Sequence, residues 1–104
     1  MAAAHFHVVG RVQGVGFRWF ARVAARRLQL AGGVINLPDG SVEVAASGRQ
    51  DKLEEFRRVL LRGPDGAEVT AVHDLDPVDQ ASLEFPFAIR RAGAGTSTGI
   101  IADP

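Results

Sequence analysis

Residues 5–30 read HFHVVGRVQGVGFRWFARVAARRLQL, and the spacing of their apolar side chains changes part-way along. From His5 to Val12 the residues alternate between two faces, which predicts a strand. A glycine-bearing turn, 13–16, follows. Beyond this turn the apolar residues recur at helical spacing, at Phe20, Val23, Ala24 and Leu28. This pattern predicts an amphipathic helix from Phe17 to Leu30, which ends at Gly32-Gly33.

A hairpin is predicted after this helix. Val34–Leu37 and Ser41–Ala46 are two short strands, joined through residues 38–40, Pro-Asp-Gly. An Asp-Gly pair between β-branched runs is a strong hairpin signal, because the turn requires positive φ angles.

The second half of the chain supplies one more helix and two more strands. The helix spans Gln50 to Arg62, and Gly63-Pro64 ends it because proline cannot continue a helix. Val69–Leu75 and Leu83–Arg90 are the strands. Since Pro86 has no N–H to donate, the last strand is expected at an edge of the sheet, with Phe85, Phe87 and Ile89 alternating along it.

The order of elements is β-α-β-β-α-β with one further C-terminal strand. It predicts the α+β class and a ferredoxin-like sandwich, with two helices on one face of an antiparallel sheet. We expect one domain over residues 1–91 and a flexible tail over 92–104, which has little to bury. The fold alone indicates no function, because it hosts many activities.

Composition narrows the function classes. The chain has 104 residues and no cysteine, which excludes disulfides, thiolate metal sites and a cysteine nucleophile. With 12 basic and 12 acidic residues, it lacks the positive charge typical of a nucleic-acid binder. Neither a signal peptide nor an apolar run of membrane-spanning length is present. We therefore expect a cytoplasmic protein, acting as a monomer without nucleic-acid or membrane partners.

The stretch 10–18, GRVQGVGFR, is the candidate site. A junction between a strand and a helix N-terminus can bind an anion through successive N–H groups and the helix dipole. Arg18, in the first helical turn, could meet two phosphate oxygens at once. A Walker loop and a dinucleotide fingerprint are excluded, since Gly-Lys-Ser/Thr is absent and Trp19 occupies a required glycine position. From this pattern alone, an anion site and a plain tight turn with Arg18 in solvent both remain possible.

Two motifs together resemble the acylphosphatase family. Residues 10–18 resemble its first motif, and residues 33–43, GVINLPDGSVE, resemble its second. The Gly63-Pro64 break and the closing Phe87-x-Ile89 also match, so the resemblance covers about residues 5–91. It implies a hydrolase that splits acyl phosphates into carboxylate and phosphate, without metal or cofactor, with phosphate or sulfate as product-like ligands.

The resemblance also implies roles for individual residues. Arg18 and the loop amides would hold the phosphate, and Asn36 would position the attacking water. The loop amides are those of Gln13, Gly14, Val15, Gly16, Phe17 and Arg18. Two departures stand out: Gly33 replaces a frequent aromatic residue, which could alter packing near Asn36 or the rim, and Gln29 replaces the glycine of a frequent Leu-Gly-Leu, which should change only how the helix ends.

Two alternative functions would use the loop or the sheet face. The loop could hold phosphate or carbamoyl phosphate for a partner without turnover, because similar domains occur at the front of large hydrogenase-maturation proteins. RNA binding through the sheet face would need paired aromatics, but the first strand offers Phe6 and the strand 41–46 none.

Several polar or aromatic residues receive structural interpretations. His5 and His7 share a strand face without a third metal ligand, so we expect solvated histidines, and the same holds for His73. Packing of Trp19 against the loop is favoured over stacking on substrate. We interpret Gln13 as a residue that orients the loop and Asp39 as a turn residue. Glu43 is interpreted as an exposed carboxylate.

Overall fold

Strands and helices follow one another in the predicted order. A computed structural model of the chain describes residues 2–79 and 83–91, and the predicted tail 92–104 lies outside them. Within these residues the strands are β1 (Ala2–Arg11), β2 (Ala31–Asn36), β3 (Val42–Gly48), β4 (Glu68–Leu75) and β5 (Ala88–Ile89). The helices are α1 (Phe17–Arg27) and α2 (Gln50–Arg62). Neither helix has the length and apolar character that a membrane span requires.

The strands form one sheet in the order β4-β1-β3-β2-β5. The β1–β3, β1–β4 and β2–β3 pairs are antiparallel, as predicted, but β5 runs parallel to β2. The expectation of a wholly antiparallel sheet is therefore wrong at one edge. The reason is topological: β4 ends where β2 begins, so a chain that crosses the sheet at that end enters β5 in the direction of β2.

Both helices cover the same face of the sheet. Their buried side chains join those of the strands in one core, which includes Phe6, Val8, Val34, Val44, Leu53, Phe56 and Leu60. On β1 the predicted alternation is confirmed, since Phe6 and Val8 are buried. α2 has the predicted bounds, and it buries Leu53, Phe56 and Leu60.

The predicted buried stripe of α1 is partly wrong. Its buried residues are Phe17, Ala21, Ala24 and Ala25, whereas Val23 is 48% exposed. Small alanines face the sheet and allow the helix to lie close to it. The prediction placed the larger apolar side chain, Val23, on the buried face, but it lies on the exposed face of the helix.

α1 also ends earlier than predicted. It stops at Arg27, and Gln29 takes the left-handed conformation with φ 59°. Gly32 and Gly33, predicted as the helix stop, lie inside β2 instead. Gln29, which replaces the glycine of the frequent Leu-Gly-Leu, thus lies just beyond the helix end.

The last strand is shorter than predicted. Instead of Leu83–Arg90, β5 comprises only Ala88–Ile89, although it does lie at the edge of the sheet. Pro86 cannot donate to a ladder, so regular pairing begins only after it. Phe87 is buried, whereas Phe85 is 69% exposed and does not share its environment.

Candidate active site

A cavity of about 270 Å³ lies where the N-terminus of α1 meets the end of β2. It is lined by Val12, Gly14, Gly16, Phe17, Arg18, Trp19, Asn36, Ile89 and Arg91. Arg18 and Asn36, predicted from separate motifs, are therefore brought to one site. Of the other predicted loop residues, Gly14, Gly16 and Phe17 line the cavity, while Gln13 and Val15 do not.

The loop between β1 and α1 needs glycine for its backbone conformation. Gly14 has φ 76° and Gly16 has φ 78°, in the left-handed region that favours glycine. A Cβ at either position would meet no atom within 4 Å. The space above both glycines is therefore open, and a ligand can approach the main chain there.

The start of α1 is suited to an anion. Gly16 is its N-cap, and the Gly16 carbonyl accepts from the Phe20 N–H at 2.9 Å. No side chain caps the helix, and its first turn contains no acidic residue. The first N–H groups of a helix have no partner within it, and the helix dipole adds positive potential. These donors border the cavity beside Arg18.

The side chain of Gln13 joins the loop to the hairpin that carries Asn36. Its amide donates to the carbonyl oxygens of Leu37, at 2.7 Å, and Ser41, at 2.8 Å. Leu37 directly follows Asn36 in the chain. Gln13 therefore orients the loop relative to Asn36, in agreement with its predicted role.

Comparison with known proteins identifies the family. The family model described as Acylphosphatase matches residues 4–88. The chain belongs to the acylphosphatase family. An acylphosphatase of Pseudomonas aeruginosa is 48% identical over 89 residues, which cover 84% of this chain and 93% of the relative.

Solved structures agree with this family assignment. The crystal structure of acylphosphatase from Bacillus subtilis matches with a TM-score of 0.76 and 35% identity, covering 86% of this chain and 99% of that chain. T. kodakarensis HypF matches with a TM-score of 0.74 and 34% identity, covering 86% of this chain but 12% of that chain. The order of elements and the resemblance to the acylphosphatase family are thus confirmed.

The family's second motif forms the expected turn. The Asp39 carboxylate accepts from the Ser41 N–H at 2.9 Å and from the Ser41 hydroxyl at 2.5 Å. These hydrogen bonds hold the pKa of Asp39 below its ordinary value. Asp39 thus acts within the hairpin, as its interpretation as a turn residue requires.

Gly33, where the family often has an aromatic residue, lies away from the cavity. It is buried in β2. Side chains alternate along a strand, so Val34 and Asn36 face the helices while Gly33 and Ile35 face the other way. Ile35 belongs to a second apolar cluster on that opposite face. The departure at Gly33 therefore does not alter the face on which Asn36 lies.

Two predictions about the opposite face of the sheet are wrong. His5 and Glu43, expected in solvent, are 13% and 12% exposed at their side chains, with His5 Nε2 2.5 Å from a Glu43 carboxylate oxygen. His7 is also partly buried, and its Nε2 lies 2.7 Å from the Ser41 hydroxyl. The cause is the segment after β4, which passes over this face and places the Asp76 carbonyl 3.2 Å from His5 Nδ1.

The pair formed by His5 and Glu43 is chemically distinctive. Both ring nitrogens of His5 face oxygen acceptors, which suits the doubly protonated ring. The hydrogen bond with Glu43 is the main cause that raises the pKa of His5. Exposed His73 has its ring centroid 6.1 Å from that of His7. Within the described part of the chain, no group of three or more His, Cys, Asp or Glu could hold a metal ion.

For three residues that line the cavity, the observed contacts were not predicted from the sequence. Trp19 is 59% exposed, and the Arg22 guanidinium lies 4.1 Å from its ring centroid in a cation–π contact. Ile89 and Arg91 line the cavity because β5 pairs with β2. The basic pair after Ile89 was the available sequence signal for Arg91.

Proposed function

We propose that this cavity hydrolyses acyl phosphates to a carboxylate and inorganic phosphate, the activity named for the family. The observation that carries the proposal is that Arg18, Asn36 and the two open glycines of the loop line the same cavity. The first turn of α1 and the loop N–H groups would surround the phosphoryl oxygens. Arg18 would complete the grip with two parallel hydrogen bonds.

Hydrolysis of an acyl phosphate makes modest chemical demands. The leaving carboxylate is weakly basic, so no strong general acid is required. What remains is to hold the phosphoryl group, to stabilise its charge and to align a water molecule. The water oxygen forms a bond to phosphorus as the bond from phosphorus to the acyl oxygen breaks, and the acyl group departs as carboxylate.

Asn36 supports the attacking water. Its side-chain carbonyl can accept a hydrogen bond from the water, but the amide cannot remove a proton at neutral pH. We propose that a phosphoryl oxygen of the substrate takes that proton. Gln13 would act as a positioning residue, because it fixes the hairpin next to Asn36.

The test is steady-state kinetics with benzoyl phosphate. Arg18→Ala should lower kcat/KM by a factor on the order of 10²–10³ or more, as when a preorganised donor to a transition state is removed. Asn36→Ala should chiefly lower kcat while phosphate still binds. Arg58→Gln, an exposed change on α2, is the control. Wild-type kcat in Asn36→Ala would contradict the role of that residue, and an active Arg18→Ala would contradict the site.

A second candidate function is a non-catalytic module that binds phosphate or carbamoyl phosphate. The match to T. kodakarensis HypF, where the shared region is 12% of that chain, favours considering it. Release of phosphate from acetyl phosphate by the purified protein separates the two. Binding of phosphate without turnover would support the module.

We also propose that the protein works as a monomer in the cytoplasm. Arg18, Asn36 and the loop belong to one chain, so the cavity needs no second copy to bring them together. A chain without cysteine suits a reducing compartment. The mass measured by light scattering after gel filtration tests the oligomeric state.

A further inference from the structure

Arg91 follows β5 closely in the chain and lines the same cavity as Asn36. In the parallel pairing of β2 with β5, Val34 is opposite Ile89, and the Arg90 N–H donates to the Val34 carbonyl at 2.8 Å. β5 ends at Ile89, and the same register continued two residues beyond it would bring Arg91 beside Asn36. With the alternation of an extended chain, both residues would share the helix-covered face with Val34 and Ile89. Both line the cavity.

The charge of the cavity matches a phosphoryl dianion. Its charged lining residues, within the described part of the chain, are Arg18 and Arg91, and none of these lining residues is a carboxylate. Arg90, the neighbour of Arg91, instead pairs with Glu84. A guanidinium can place two N–H groups on two phosphate oxygens. The cavity thus contains two such groups, whereas the sequence motifs indicated one.

We propose that Arg91 is a second phosphate-binding residue, which contacts phosphoryl oxygens beside the water held by Asn36. This inference rests on the proposed function. In an in-line displacement the water and the acyl leaving group lie on opposite sides of phosphorus. A residue next to Asn36 is therefore on the water side, and it contacts the part that all acyl phosphates share rather than the acyl group.

The test compares Arg91→Gln and Arg91→Lys with the control Arg58→Gln, which removes the same charge from an exposed site on α2. Affinity for inorganic phosphate is measured by calorimetry, and kcat/KM is measured with acetyl phosphate and succinyl phosphate. Arg91→Gln should weaken phosphate binding about tenfold or more, as expected for a lost hydrogen bond to a charged group. It should lower kcat/KM for both substrates by the same factor. Arg91→Lys should recover part of the affinity, and the control should match the wild type.

Two results would overturn the inference. One is wild-type phosphate affinity in Arg91→Gln. The other is a kcat/KM loss confined to succinyl phosphate, which would place Arg91 at the acyl end. Failure of the proposed function looks different, because it appears as absent turnover in the wild type or as full activity in Arg18→Ala. The calorimetric result for Arg91 holds in either case.

Discussion

Replacing Gln13 by alanine should separate the grip on phosphate from the alignment of water. The change removes two hydrogen bonds, to the carbonyl oxygens of Leu37 and Ser41. Each oxygen keeps a second partner, because Leu37 also accepts from the Gly40 N–H and Ser41 from the Leu37 N–H. Neither oxygen is left without a donor, so each loss should cost about 0.5–1 kcal/mol. We therefore expect a melting temperature lower by about 4–16 °C, from about 1–2 kcal/mol in total.

The Gln13→Ala change should lower kcat by more than its small loss of folding stability suggests. Without Gln13 the hairpin next to Asn36 is no longer fixed to the loop, and a displacement of about 1 Å can lower a rate about a hundredfold. Arg18 and the loop amides remain in place. We expect kcat to fall about tenfold to a hundredfold, with phosphate affinity close to that of the wild type.

A double-mutant cycle on kcat tests this reasoning. If Gln13 acts through Asn36, the Gln13→Ala change should lower kcat less than about twofold when Asn36 is already alanine. Gln13→Glu is a matched variant of the same size, and it should be no better than alanine because a carboxylate cannot donate to the two carbonyls. Additive losses in the cycle, or a wild-type kcat in Gln13→Ala, would refute the positioning role.

Two further predictions concern stability. Gln29→Gly should raise the free energy of unfolding by about 0.5–1 kcal/mol, because a left-handed residue other than glycine is strained and glycine recovers most of that cost; thermal melting measures this, and a destabilised variant would contradict it. The hydrogen bond with Glu43 raises the pKa of His5 above the ordinary 6.5. Protonated His5 therefore stabilises the fold fully below pH 6.5, and this stabilisation is lost as the pH rises through the pKa of His5 in the folded protein. Urea unfolding at pH 6, 7 and 8 should show this decline, and His5→Gln should flatten it; an unchanged slope in the variant would show that His5 is not the cause.

Elements with local start and stop signals could be predicted well. α2 has its predicted bounds because its stop signal, Gly63-Pro64, directly follows it in the sequence. The burial of Phe6 and Val8 follows from the period of two along β1. The turn between β1 and α1 belongs to the same group, since its glycines and the start of the helix follow from adjacent residues in the sequence.

Features that depend on distant segments could not be predicted from local patterns. Val23 is exposed because the sheet accepts the alanine face of α1, and helical spacing alone does not select between the two faces. Glu43 lies on β3, on the sheet face opposite the helices. This face would be exposed to solvent if the segment after β4 did not cover it. The burial of Glu43 with His5 requires knowledge of where that segment passes.

Arg91 shows how the same limit applies to the site. Its place in the cavity with Asn36 depends on the register of β5 against β2, and a shift by one residue would turn every β5 side chain to the other face. Phe87 resists such a shift, because it is buried and its ring centroid lies 5.8 Å from that of Phe56 on α2 in an edge-to-face contact. Packing of Phe87 in the core thus fixes the register of the strand that leads to Arg91. A sequence motif identifies the loop. The pairing of β5, which follows Phe87, with β2, which ends at Asn36, is seen only in the fold.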